Sequence, residues 1–305
     1  MKYILLVVTS LLGLLSTSSA GQAVAHSMEP VEVEETVNSK HDSFLRHRVL
    51  DSTNPDEKDA RVIGGTEVAE GRYPYLAYLE ISMEDGVYMC GGSLIHPNWI
   101  LTAAHCVSDA ISTTVILGLH NIALLDSDND YEAFDVYPEN IQIYPYYDPK
   151  QIDGDFALLR LDSPSSFTPA FVNWDFNLPQ EKDVVYIVGW GQTESADYSD
   201  VPLEAKLEVL DQDTCIFAWA DTGYVTDNVV CATGWGNTAT CLGDSGGPLI
   251  IKDANDPSAD IIVGVVSFGS VDYCAEMNRP SAFSRVTAAT SWLETEVPEI
   301  WWPEN

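Results

Sequence analysis

Positive charge is scarce in this chain. Of its 305 residues only 14 are Lys or Arg, against 47 Asp or Glu, for a formal net charge of −33. From residue 62 onward there are 8 basic and 38 acidic residues, so the acidity lies in the body and not in a tail. A field of that sign disfavours nucleic acid and anionic membrane surfaces as partners and favours solubility. Long apolar runs are also missing. After the first twenty residues no stretch approaches the roughly 18 consecutive apolar residues of a spanning helix. No Cys-x-x-Cys pair occurs, which argues against a thiolate zinc site. No Asn-x-Ser/Thr acceptor is present, so N-glycosylation is not expected. Histidine is limited to six, and His26, His41 and His47 precede residue 62. Only His96, His105 and His120 remain as bases for the body.

What is present begins with a leader. Lys2 is followed by the apolar "YILLVVTSLLGLL", and Ser18 and Ala20 offer small residues before a cut. Residues 1–20 are therefore expected to be a removed signal peptide, and the protein to be secreted and extracellular. Residues 21–61 are polar and poor in aromatics, the composition of a weakly ordered segment. The cysteines are Cys90, Cys106, Cys215, Cys231, Cys241 and Cys274. An even count in an oxidising compartment implies three disulfides, with spacing alone leaving the pairing open.

The character of the chain changes at "ARVIGGTEV". From there short runs rich in Val, Ile and Tyr recur between turn residues: "YPYLAYLEI", "TTVILGL", "DFALLRL", "DVVYIVGWG", "KLEVL" and "DIIVGVVSFG". This pattern predicts an all-β sandwich or barrel. One helix is expected at "TAATSWLETEV", capped by Thr and stopped by Pro298.

The chemistry concentrates in "TCLGDSGGPL", residues 240–249. Gly243, Gly246 and Gly247 surround an acid and a serine, so the turn needs conformations or approaches that other residues forbid. Ser245 there is a candidate nucleophile, but serine needs a base, and the base needs an orienting group. His105 in "LTAAHC" stands beside a cysteine. Asp155 heads the apolar "DFALLRL", where a buried carboxylate requires a strong hydrogen-bond partner. Together they form a possible nucleophile, base and orienter set.

These segments, with "CGGSLIHPNWILTAAHC", "GWG", "CLGDSGGPL" and "VVSFGS", resemble the trypsin/chymotrypsin family of serine endopeptidases over roughly residues 62–296. The resemblance implies two six-stranded antiparallel β-barrels with a C-terminal helix and the active site between the barrels. It implies His105 as general base, Asp155 as its orienter, Ser245 as nucleophile and Ser267 as support for the Asp. The Gly243 and Ser245 N–H groups would form the oxyanion hole. It also implies a zymogen whose propeptide is residues 21–61 and whose protease domain is residues 62–305. Cleavage after Arg61 would free the Val62 ammonium to pair with Asp244. The family pairing of cysteines would be Cys90 with Cys106, Cys215 with Cys231, and Cys241 with Cys274.

In the same frame the primary pocket falls to Ala239, Gly269 and Ser281. Ala239 supplies no charge at its base, which implies cleavage after bulky apolar residues and not after Lys or Arg. Asp272 or Glu276 could reach in from a loop. Asp126, Asp128, Asp130 and Glu132 align with a family calcium loop, but Leu119 stands where a calcium-binding member has Glu, so no metal or other cofactor is expected. His96 and His120 are expected to be structural, and Trp301 and Trp302 to pack on the barrel. The expected partners are protein or peptide substrates and an activating protease, with no nucleic acid, no membrane after signal removal, and a monomeric enzyme. A non-catalytic binding protein on the same fold is the rival reading, separated by reaction with an active-serine reagent.

Overall fold

A computed structural model describes residues 65–125, 131–193, 198–234, 240, 242–253, 255–269, 279–297 and 299–300. The proposed leader and propeptide, Arg61, Val62, Asp126, Asp128, Asp130, Ala239, Cys241, Asp272, Cys274, Glu276, Trp301 and Trp302 lie outside the described residues.

Strands dominate. In the first half they are β1 (Thr66–Glu67), β2 (Leu76–Met83), β3 (Gly86–His96), β4 (Trp99–Thr102), β5 (Ser112–Leu117), β6 (Glu132–Val136), β7 (Ile141–Ile143) and β8 (Ala157–Arg160). In the second half they are β9 (Phe171–Val172), β10 (Val184–Gly189), β11 (Leu203–Val209), β12 (Val229–Thr233), β13 (Pro248–Ile251), β14 (Ile261–Phe268) and β15 (Ser281–Arg285). Among the described residues the α-helices are short: α1 (Ala104–Val107), α2 (Gln212–Ala218) and α3 (Thr290–Glu296).

One sheet runs β6-β5-β2-β3-β4-β8-β7. Its end strands do not pair with each other among the described residues, so it is a half-barrel. The other runs β11-β10-β13-β14-β15-β12, and β12 pairs back to β11. That pairing closes a six-stranded barrel and removes the free edges that an open sheet would expose. The all-β expectation holds, with closure complete in one sheet. Alternation accounts for the inside of the closed barrel: Leu203, Ala205, Leu207 and Val209 of β11 point inward with Val185 and Ile187 of β10, Leu249, Val263 and Phe283.

The half-barrel has its own core of Leu79, Ile81, Leu94, Ile100, Leu101, Val115, Leu117 and Leu158. The α3 residue Leu293 joins this cluster and not the core of the barrel that precedes it in sequence. Tyr144 fastens it there. Its ring lies 5.2 Å from that of Trp292, and its hydroxyl donates to the Ala288 carbonyl at 2.9 Å. The expected Thr cap is corrected by the structure. A 3-10 turn, Val286–Ala289, leads into α3, and the residue ahead of the helix is Ala289, with no side-chain cap. Thr287 is instead buried within that turn.

Candidate active site

Asp155 lies two residues ahead of β8, on a segment whose apolar residues pull it inside. Its carboxylate is fully buried, a costly position that hydrogen bonds must offset. It accepts three. The His105 backbone N–H donates to Oδ1 at 2.9 Å, His105 Nδ1 lies 2.7 Å from Oδ2, and the Ser267 hydroxyl donates to Oδ2 at 2.6 Å. With Nδ1 carrying the proton toward Asp155, the other ring nitrogen presents a lone pair. His105 is about one-third exposed, with Asp155 behind it. Tyr147 lies in the same field. Burial first, then the charges of Asp155, Asp109 and Asp148, push its phenol up to about 12.

His105 sits in α1, and the following residue, Cys106, is disulfide-bonded to Cys90 on β3. The next residue of β3, Gly91, donates its N–H to the Ser245 carbonyl at 2.7 Å. A single disulfide and a single backbone hydrogen bond therefore tie the backbones of His105 and Ser245 to adjacent residues of one strand. No hydrogen bond joins Ser245 Oγ to His105 Nε2 among the described residues, and Nε2 lies 3.7 Å from Cys106 Sγ. Such bonds often tighten only when substrate is bound.

The serine turn uses its glycines. Gly243 has φ of 94°, and a Cβ there would lie 2.2 Å from Met89 Cε and 2.9 Å from Tyr198 Cε1. Gly246 has φ of 79°, and its Cβ would lie 2.2 Å from Thr102 Oγ1. Both positive φ values and close approaches demand glycine. Neither the Gly243 nor the Ser245 N–H donates to a backbone carbonyl among the described residues, while Gly246 and Gly247 donate to Val266 and Asp244. Two amide donors beside a serine can stabilise a developing oxyanion.

Asp244 is buried, and the Gly191 N–H donates to its Oδ1 at 3.0 Å. A Cβ on Gly189 or Gly191 would lie within about 2.5 Å of this carboxylate. The "GWG" segment is thus a cradle for Asp244, a role that the sequence signalled only by its two glycines.

These features coincide with a family match. The Trypsin family model covers residues 62–293. The chain belongs to the trypsin family. It is 34% identical over 241 residues to brachyurin of Leptuca pugilator, which covers 77% of this chain and 98% of that protein. It is 34% identical over 253 residues to chymotrypsin-like elastase family member 1 of Macaca fascicularis, covering 79% and 91%, and of Homo sapiens, covering 79% and 94%. It is a serine endopeptidase.

In this peptidase two of the three family disulfides are described, Cys90–Cys106 and Cys215–Cys231. Because Cys90 and Cys106 are bonded to each other, the cluster that they make with His105 offers no thiolate for a metal. Glu132, the described acid of the loop that aligns with the family calcium loop, is already engaged. It accepts from the Ser165 and Ser166 hydroxyls at 2.6 Å each. Burial raises its pKa, but the bonds from Ser165 and Ser166 outweigh that and hold it below its usual value. His96 accepts from the Asn98 N–H at 3.2 Å, and burial lowers its pKa. His120 lies 3.4 Å from Glu67, and its carbonyl accepts from Trp190 Nε1. Both histidines have structural partners. Leu119 is buried.

Of the proposed pocket residues, Gly269 and Ser281 are described. Among the described residues, a Cβ on Gly269 would meet Thr240 Oγ1 alone within 4 Å, at 3.7 Å. Ser281 is buried against Thr240. Sequence reading passed over three residues at the site: Thr240, and Met89 and Tyr198 beside Gly243. None carries a local signal, since each matters through a contact distant in sequence.

Asp153 is a further anchor near the site. It accepts from Thr226 Oγ1 at 2.5 Å and Asn228 Nδ2 at 3.1 Å, and its backbone exchanges hydrogen bonds with Asp148. These bonds hold the loop before Asp155 to the segment leading into β12.

Proposed function

We propose that this serine endopeptidase is secreted as a zymogen and works through Ser245, His105 and Asp155 once cut after Arg61. The observation that carries the reading is the buried Asp155 bound to His105 Nδ1 at 2.7 Å, with Ser245 held on a glycine-shaped turn tied to the same strand. His105 Nε2 takes the Ser245 proton as Oγ attacks the scissile carbonyl. The Gly243 and Ser245 N–H groups stabilise the tetrahedral oxyanion. Nε2 then gives the proton to the leaving amine, and an acyl-enzyme remains. Water repeats the sequence and releases the acid. Asp155 keeps the imidazole in the working tautomer and stabilises it when protonated.

Asp244 is the partner assigned to the amino terminus that the activating cut creates. Cleavage supplies the Val62 ammonium, and the pair sets the turn that carries the Gly243 N–H. The buried cradle of Gly189 and Gly191 around Asp244 supports this assignment, since a buried carboxylate strongly favours a cationic partner. Residues 1–20 are the proposed signal and residues 21–61 the proposed propeptide. The third disulfide is Cys241–Cys274.

Cleavage follows a bulky apolar residue, which enters a pocket formed by Ala239, Gly269 and Ser281. Uncharged residues at these positions support that choice. Substrates are proteins or peptides, an external protease makes the activating cut, and the enzyme is a monomer needing no cofactor. The test is labelling by an active-serine acylating reagent before and after cleavage at Arg61. Stoichiometric labelling at Ser245 only after the cut is expected. Labelling elsewhere, or none, would overturn the assignment.

A further inference from the structure

His105 and Asp155 stand next to β4 and β8, strands of the half-barrel, whereas Ser245 lies between β12 and β13 of the closed barrel. The two groups can work together only if one barrel is fixed against the other. The turn just ahead of Asp155 is costly to hold. Ile152 has φ of 53° and Gly154 φ of 63°. A β-branched residue seldom takes that conformation and keeps it only where its surroundings enforce it. Gly154 is pressed as well, since a Cβ there would lie 3.0 Å from the Tyr144 ring and 3.1 Å from the Tyr146 carbonyl oxygen. Between them Asp153 reaches to the segment that enters β12. Its Oδ1 accepts from Thr226 Oγ1 at 2.5 Å and its Oδ2 from Asn228 Nδ2 at 3.1 Å. That segment is itself firmly held. Gln212 Nε2 of α2 donates to the Thr226 carbonyl at 2.8 Å, and the Arg285 N–H of β15 donates to the Asn228 carbonyl at 2.7 Å.

We infer that Asp153 is a positioning residue, which fixes Asp155 and His105 of the half-barrel against the closed barrel and so against Ser245. The inference rests on the proposed triad. Asp153 acts through the backbone of its own turn. Two residues on, Asp155 accepts from Ser267 of β14, so the closed barrel holds this short stretch at two points. Without Asp153 the strained turn relaxes, and Asp155 moves with His105 still bound to it. The described residues of the proposed pocket, Gly269 and Ser281, belong to the closed barrel or its loops and stay in place. The loss therefore falls on kcat and not on KM. A displacement of about 1 Å far from the chemistry can cost on the order of 10²-fold.

The experiment measures kcat and KM for cleaved wild type, Asp153→Ala, Asp153→Asn and Thr226→Val, with active sites counted by stoichiometric acylation of Ser245. Counting sites removes any loss due to misfolded protein. Asp153→Ala should lower kcat per site by about 10- to 100-fold with KM within about twofold of wild type. Asp153→Asn should stay within about threefold, because its amide oxygen still accepts from Thr226, and Asn228 can turn its own amide to accept from the new N–H. Thr226→Val, nearly isosteric and on the far side of the contact, should lower kcat about three- to tenfold. It keeps the test decisive if the alanine variant does not fold. Unchanged kcat per site in Thr226→Val, a loss confined to KM, or an Asn variant as impaired as the Ala variant overturns the inference and leaves the triad standing. Wild-type enzyme that is not acylated at Ser245 overturns both.

Discussion

Asp155 holds His105 at two points, accepting from its backbone N–H at 2.9 Å and lying 2.7 Å from its Nδ1. One carboxylate therefore sets both where the residue sits and which tautomer its ring adopts. Asp155→Asn offers an amide in place of one of those oxygens and favours the wrong tautomer. We expect kcat to fall on the order of 10⁴, the scale of the same change in a related peptidase, with little change in fold. Steady-state kinetics with circular dichroism checks both. A loss under tenfold would show that the imidazole is oriented by something else.

Ser245→Ala should remove turnover by about a millionfold, the loss seen in an unrelated triad enzyme. Peptide hydrolysis by the purified, cleaved variant is the measurement, and substantial retained activity would contradict the nucleophile.

Gly243→Ala should damage the site by a different route. A Cβ would meet Met89 Cε at 2.2 Å and hold a φ of 94°, a backbone cost of about 1–2 kcal/mol before any clash. The turn must shift, and the proposed oxyanion donor with it. We expect kcat to fall by about 10²–10³, as when one such donor is lost, with KM little changed. Pairing the change with Met89→Ala, which empties the space, should recover part of the loss. No recovery would place the defect in φ or in the remaining contact with Tyr198 Cε1 at 2.9 Å.

Asp244→Asn should leave the cleaved enzyme close to zymogen activity, because the amide cannot pair with an ammonium. Gly191 would still find an acceptor in the amide oxygen, so the turn need not unfold. Activity before and after cutting at Arg61 is compared for wild type and variant. A normal rise in the variant, or full activity in uncut Arg61→Gln protein, would remove the ion pair from the mechanism.

Alkali should destabilise the fold through its tyrosines. Burial pushes the Tyr78 phenol up to about 12, with smaller contributions from Glu80 and Tyr198. Tyr147 is likewise held at about 12. Tyr75 is raised as well, by burial and by Asp260, whose carboxylate its hydroxyl contacts at 2.7 Å. A raised folded value means that the unfolded chain loses these protons first. Stability is then complete below about pH 10, where unfolded tyrosine ionises, and falls as pH rises toward 12. Urea midpoints at pH 8, 10 and 11 should decline across that window, less steeply for Tyr147→Phe. A flat profile would contradict the burial argument.

The residues proposed for the chemistry were legible in one dimension because catalysis restricts residue types within short segments. A serine among glycines, a histidine beside a cysteine and an acid at the head of an apolar strand each stand out locally. The runs rich in Val, Ile and Tyr that became β2, β10 and β14 were readable by the same logic. Shorter strands such as β12 and β13, and the helix cap at Ala289, had no comparable signal. Only the folded chain decided that β12 returns to β11 and closes one barrel while the other sheet stays open. Only there does Gly91 reach Ser245, Met89 press on Gly243, and α3 pack on a sheet whose strands lie more than a hundred residues earlier. Each of these contacts joins residues distant in sequence. Their partners are chosen by which apolar faces can be buried together and which backbone groups remain to be paired, and neither is a property of any short segment.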